Sequence, residues 1–161
     1  MTERVLSIVT LVSALGCGLI AGAFFAFSSF VMGALARLPV PQGIAAMQSI
    51  NIVVINPIFL GVMFGTAVAC IGLTVAALSR WQVPGSAYLL AGSVIYLAGT
   101  ILVTMLCNVP RNNVLAALDP TSADAAAQWS AYVAGWTGWN HVRAVAACVA
   151  AGLFTLAMRV I

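Results

Sequence analysis

Four long apolar runs divide the chain, and charged or amide-bearing residues punctuate the gaps between them. Val5–Ala36 carries no charge between Arg4 and Arg37, and Ile52–Leu78 lies between Asn51 and Arg80. Ala87–Cys107 stops at Asn108-Val109-Pro110, and Trp139–Met158 ends at Arg159. Each run meets the roughly 20 apolar residues that a helix needs to cross the hydrocarbon core of a bilayer. Barrel strands would alternate apolar and polar positions, and these runs do not. The pattern predicts an all-α integral membrane protein, an antiparallel four-helix bundle with spans near residues 5–36, 52–78, 87–107 and 139–158.

The connections carry their own signals. Leu38–Ile50, opened by Pro39 and Pro41, reads as a short interfacial helix after the first span. Pro110–Leu118 reads as a second one after the third span, with proline in its first turn and Asp119-Pro120 as its stop. Thr121-Ser122-Ala123-Asp124 has the spacing of a capping box, from which a long helix would run through Trp129, Tyr132 and Trp136 into the fourth span. Nothing marks a linker or a second domain, so residues 1–161 are read as one unit. Small residues recur at spacing four, as Ala14, Gly18, Gly22 and Ala26 and again as Gly61 and Gly65. Such ridges let helix backbones approach closely; they serve either packing within the bundle or a homo-oligomer seam between copies.

Composition strengthens the membrane reading. The chain is 63% apolar and 6% charged, with a mean hydropathy of +1.13, against about 45–50% and about 25% in a soluble domain. The lipid bilayer is therefore its expected surroundings. All basic residues are arginine and are scattered along the chain, which excludes a nucleic-acid face. Cys17, Cys70, Cys107 and Cys148 stand alone in apolar runs, which excludes a zinc ribbon or a disulfide framework. The first run far exceeds the 7–15 or so apolar residues of a secretory core, so it is expected to remain in the membrane. Arg4, Arg80 and Arg159 face Arg37, Arg111 and Arg143 across the bilayer, a tie under the positive-inside rule. Setting Arg143 aside as a site residue places both termini in the cytoplasm, with the protein in the cytoplasmic membrane of a bacterium.

The polar residues are unevenly distributed. With four spans, the loops after the first and third share one membrane face, and there Gln48, Asn51, Asn56, Asn108, Arg111, Asn112, Asn113, Asn140, His141 and Arg143 gather. Asn140, His141 and Arg143 fall within the first turn or so of hydrocarbon, where polar groups are costly and turn toward a bundle interior or a wet cavity. Pro57 frees a backbone carbonyl one turn back, near Val53, which needs a partner. Tyr132, Trp136, Asn140 and Arg143 follow at steps of four, four and three, one helical stripe with His141 at its flank. This stripe suits a planar, partly polar ligand. Plainer roles stand beside that reading. Trp129, Trp136 and Trp139 fit an interfacial aromatic belt, Arg143 could snorkel to lipid phosphates, Asn108 could cap the helix opened by Pro110, and His141 could satisfy a core hydrogen bond.

Certain segments carry a family resemblance: Met47-Gln48-Ser49-Ile50-Asn51, Asn56-Pro57-Ile58-Phe59, Asn108-Val109-Pro110-Arg111-Asn112-Asn113-Val114-Leu115, and Trp136-Thr137-Gly138-Trp139-Asn140-His141-Val142-Arg143. With the phenylalanine-rich stretch Gly22–Phe30, the chain resembles the anthrone oxygenase-like family of small four-span membrane proteins. Some members of that family are linked to oxidation of anthrones to anthraquinones, which implies an oxidoreductase, a monooxygenase acting on an anthrone-like or phenolic hydrophobic substrate. The residue inventory excludes a carboxylate-bridged di-iron site, a three-histidine metal site, bis-histidine haem and a glycine-rich phosphate loop. What remains suits oxygen chemistry on an easily ionised carbon acid. His141 is the expected base. Arg143 with Asn140, Asn56 or Asn108 would hold the enolate as an oxyanion site does, and Asn51, Asn112, Tyr132 and Trp136 would contact the substrate. Dioxygen is the expected co-substrate, with no metal or other cofactor. The alternatives are a carrier for a quinone, a lipid or haem, the haem ligated by His141, or an accessory subunit of a membrane complex.

Overall fold

The computed structural model describes residues 2–161, and among these it is entirely helical. Four helices are long and apolar enough to cross a membrane: α1 (Glu3–Leu35), α3 (Pro57–Ser79), α4 (Ser86–Ala116) and α5 (Ala125–Ala157). A shorter helix, α2 (Val40–Val53), lies between the first two. Consecutive spans run antiparallel. α5 packs along α1 and the first half of α4, and α3 closes the ring between α1 and α4. The chain is thus an integral membrane protein, and the wide exposure of Leu15, Leu19, Val68, Ile71 and Val145 marks its lipid-facing outer surface.

Local chemistry explains the boundaries and corrects three expectations. The second span begins at Pro57, not Ile52, because Ile52 and Val53 complete α2 and the chain turns at residues 54–56. Asn56 caps the new helix: its Oδ1 accepts from the amides of Ile58 (3.1 Å) and Phe59 (3.0 Å). Its Nδ2 donates to the Val53 carbonyl at 2.9 Å, satisfying the group that Pro57 leaves without a donor. The third span does not break at Asn108. It continues to Ala116 because two π turns, Leu97–Leu102 and Thr104–Asn108, widen the helix ahead of Pro110. Arg111 then folds its Nη1 back onto the Cys107 carbonyl. The segment expected as a separate interfacial helix is therefore the last two turns of α4. Nor does the fourth helix start at a Thr121 capping box. Asp119 Oδ1 accepts from the Thr121 amide and hydroxyl, both at 2.8 Å, and Asp124 from the Ser122 hydroxyl and Gln128 amide. These bonds hold a turn, delay the helix to Ala125, and keep both carboxyls below their ordinary range.

Two apolar cores result. The larger fills the bundle with Cys17, Ile20, Leu73, Leu89, Tyr96, Ala147, Ala150 and Phe154. The smaller joins Met32, Leu35, Ile44, Met47, Leu115, Trp129, Tyr132 and Trp136 at the end that carries α2. Close helix approach uses glycines other than those of the ridges: a Cβ on Gly16 would lie 2.0 Å from Thr66 Oγ1, and one on Gly99 would lie 2.5 Å from the Ala146 methyl. Beside Gly18, Gly22, Gly61 and Gly65 a Cβ would meet nothing within 4 Å, so these positions face outward and do not pack the bundle.

Candidate functional site

Between the two cores, α4 and α5 carry a buried polar layer of Asn108, Asn140 and Arg143. The stripe on α5 folds as its spacing predicts: Tyr132, Trp136, Asn140 and Arg143 are all buried, together with Trp129 one turn earlier. Trp129 and Trp136 are therefore core residues, and Trp139, 39% exposed, is the one tryptophan of the three that fits an interfacial belt. His141 is exposed. One residue turns an α-helix by about 100°, and that step carries the imidazole off the stripe onto the outer surface. The expectation that His141 shares a cavity with Arg143 is not met.

Arg143 is 4% exposed and does not snorkel. Its Nη2 donates to Asn140 Oδ1 at 2.7 Å and its Nη1 to Thr104 Oγ1 at 3.3 Å, while Nε is buried without a partner. The guanidinium carbon stands 4.1 Å from the Phe24 ring centroid and 5.0 Å from that of Trp136, both within cation–π range. No carboxylate joins it. The acids of the sequence are Glu3, Asp119 and Asp124; Glu3 pairs with Arg80 at 3.3 Å and the other two hold the α4–α5 turn. A buried cation with only neutral partners is expensive, and in membrane proteins it marks function before stability.

Asn140 fixes the guanidinium in place. Its Nδ2 donates to the Phe24 carbonyl (2.7 Å) and Ser28 Oγ (2.8 Å) on α1, where the π turn Phe27–Val31 interrupts the regular ladder. All three π turns among the described residues flank this layer, in keeping with the association of such turns with functional sites. Asn108 donates to the Trp136 carbonyl at 3.1 Å and makes no cap bond, so it ties α4 to α5. Asn112 Oδ1 accepts from the Tyr132 hydroxyl (3.0 Å) and Trp136 Nε1 (2.8 Å). Gln48 binds the Leu115 and Leu118 carbonyls at 2.8 and 3.0 Å, seating α2 on the end of α4.

A cavity of about 610 Å³ opens against this layer, inside the range of about 300–1,000 Å³ typical of small-molecule sites. Arg143, Trp136, Asn112 and Asn51 line it, as do Gln48 and Thr104, amid a mainly apolar wall that includes Phe24, Phe27, Phe59 and Met63. Asn51 Nδ2 is buried, and the Tyr132 hydroxyl is the group nearest to pairing with it. Of the expected site residues, then, Asn51, Asn112, Trp136 and Arg143 line the pocket. Asn140, Asn108 and Tyr132 support it from behind, Asn56 is spent on its cap, and His141 is outside. Thr104 and Met63 are not among the expected site residues, being a lone hydroxyl and an apolar side chain within apolar runs, and Phe24 and Phe27 enter only through the phenylalanine-rich stretch Gly22–Phe30.

A model of the anthrone oxygenase family matches residues 58–153, more than half of the chain. The chain belongs to the anthrone oxygenase family. The matched stretch holds Thr104, Asn108, Asn112, Trp136, Asn140 and Arg143, whereas Phe24, Gln48 and Asn51 lie ahead of it. No curated protein and no solved structure matches the chain.

Among the described residues, no group of three or more His, Cys, Asp and Glu side chains is placed to hold a metal ion. Haem in the pocket could not use His141 as an axial ligand, because the imidazole faces the other way.

Proposed function

We propose that this protein is a membrane-embedded oxygenase that converts an anthrone-like or other phenolic, planar apolar substrate with dioxygen alone. One observation carries the reading: a buried, carboxylate-free guanidinium with an unpaired Nε stands at the wall of an apolar cavity of substrate size. Such a group wants an anionic or oxygen-rich ligand, and an anthrone becomes one when it loses a proton. Family membership supports the same substrate class.

The chemistry then follows from the residues. The pocket wall offers no carboxylate or imidazole, so Arg143 acts on the acidity of the substrate itself. A cation beside the developing oxyanion favours the ionised form and stabilises the charge as it appears. Asn140 holds the guanidinium in position, and Asn51 and Asn112 add polar groups to the same wall. Phe24, Phe27 and Trp136 give flat surface for the rings. The bound enol tautomer adds dioxygen at its carbon while its O–H proton passes to the peroxide, so the wall needs no base, and loss of water with the remaining C–H hydrogen leaves the carbonyl. One oxygen atom stays in the quinone and the other leaves as water, so the four-electron oxidation of carbon balances the reduction of dioxygen.

The test is anthrone consumption and oxygen uptake by the purified protein in lipid vesicles, compared with Arg143→Gln. Loss of one oxyanion donor typically costs about 10²–10³ in rate. Equal turnover by both proteins would end the proposal. Tight anthraquinone binding without anthrone consumption would favour the carrier reading instead.

A further inference from the structure

We infer that the ligand of this pocket enters sideways from the bilayer, through a gap between the N-terminal turns of α3 and the C-terminal half of α4. The inference takes from the proposed function only the nature of the cargo, an apolar aromatic molecule dissolved among acyl chains. It stands on where packing narrows the cavity and where it does not.

Two directions are narrowed by packed side chains. Toward the membrane face that carries α2, the smaller core lies across the pocket: Ile44 and Met47 are fully buried, Leu115 nearly so, and Trp129 stacks on Tyr132 with centroids 5.7 Å apart. Gln48 bolts α2 to the Leu115 and Leu118 carbonyls across that lid. Toward the bundle centre, the large core is filled by Cys17, Ile20, Leu73 and Phe154, each at most 1% exposed. On the α2 side the cavity still has exposed lining at Ile52, Asn113 and Ala116, so that end is narrowed and not sealed.

The third direction is open. α3 packs closely on Ser86–Tyr96 and lightly on Leu97–Leu102, and the close packing of the two helices ends there. The π turn Thr104–Asn108 follows at once on α4, and the cavity reaches the surface in this region. On this side its exposed lining is apolar: Ile55 before α3, Phe64 on α3, and Met105 and Val109 on α4. All are exposed as well as cavity-lining, Phe64 by 45% and Met105 by 58%. A rim at once apolar, exposed and continuous with a pocket suits a solute that partitions into lipid, and it spares that solute a passage through water. Arg143 itself is 4% exposed, and that burial strengthens its field on a bound oxyanion.

The experiment reads access without requiring turnover. In a chain whose less buried cysteines, Cys107 and Cys148, are changed to alanine, Thr104→Cys places a thiol on the pocket wall beside Arg143, a neighbour that favours the reactive thiolate. The protein in phosphatidylcholine vesicles is exposed to pyrenyl maleimide dissolved in the bilayer, or to a charged methanethiosulfonate in the water on both sides. Asn51→Cys, on another wall of the cavity, provides the same reading if Thr104→Cys does not fold. The bilayer reagent is expected to label the thiol at least tenfold faster than the charged one. Adding Phe64→Trp with Met105→Trp should slow that labelling about tenfold, while Val68→Trp, exposed on α3 outside the rim, should leave it unchanged. Equal or faster labelling from water, or bilayer labelling indifferent to the rim substitutions, overturns the portal. Failure of the oxygenase reading would appear separately, as absence of anthrone consumption in an otherwise accessible pocket.

Discussion

Replacing Arg143 with methionine should separate function from stability. The substitution removes a hydrogen bond of 2.7 Å to Asn140, another of 3.3 Å to Thr104, and two ring contacts at 4.1 and 5.0 Å. Hydrogen bonds to a charged group contribute about 1.5–3 kcal/mol each, and cation–π contacts about 0.5–2 kcal/mol each. Against them stands the desolvation of a cation that no carboxylate neutralises, several kcal/mol by itself. The opposing amounts are of one size, and methionine keeps most of the side-chain volume. The net change in stability is therefore expected to fall within about 2 kcal/mol, in contrast to the 3–5 kcal/mol or so that follows when one partner of a buried ion pair is removed. Activity should nevertheless fall by about 10²–10³, the cost of losing one oxyanion donor. Arg143→Lys should lose nearly as much, because an ammonium cannot reproduce the planar fork that reaches Asn140 and Thr104 together. Thermal unfolding in mild detergent and anthrone turnover in vesicles measure the two quantities on the same preparations. A methionine variant that fails to fold, or one that folds and turns over normally, would refute the idea that this cation is maintained for a ligand.

Three further outcomes can be checked. His141→Ala should retain wild-type anthrone oxidation, since the imidazole lies outside the pocket; a loss of about 10²–10⁴, typical for a general base, would restore histidine to the mechanism. Gly16→Ala should lower the melting temperature, because its Cβ would sit 2.0 Å from Thr66 Oγ1 and overpacking costs about 1–3 kcal/mol. Gly22→Ala, with open space beside it, should be neutral or mildly stabilising through helix propensity. The α4–α5 turn should loosen in acid: hydrogen bonds lower the folded-state pKa of Asp119 and Asp124, so their contribution is complete above the ordinary carboxyl pKa and fades as pH falls through the lowered values. Hydrogen exchange at the Thr121 amide should accelerate over that acidic window relative to helical amides, and Asp119→Asn should remove the effect.

Much of this protein was legible without coordinates. Lipid demands a long apolar run for every crossing, so the number of spans and their rough limits followed from hydropathy alone. Helix phase is equally local: it aligned Tyr132, Trp136, Asn140 and Arg143 before any neighbour was known, and the open carbonyl near Val53 found its donor in Asn56. The fate of each amide was not local. Asn51, Asn56, Asn108 and Asn140 are the same residue type near one membrane face, yet one faces the cavity, one caps a helix, one ties α4 to α5 and one holds an arginine. Those roles depend on which carbonyls and rings the neighbouring helices present. His141 illustrates the same limit, since the sequence placed it at the flank of the stripe but could not say that α1 would cover the other side. Pro110 looked like a break because proline lacks a donor, and only the folded α4 shows how π turns carry the helix through it. The glycine ridges met the spacing rule, but whether a ridge packs inward or faces lipid is set by the rotation of the whole helix, which the balance of contacts with all its neighbours decides.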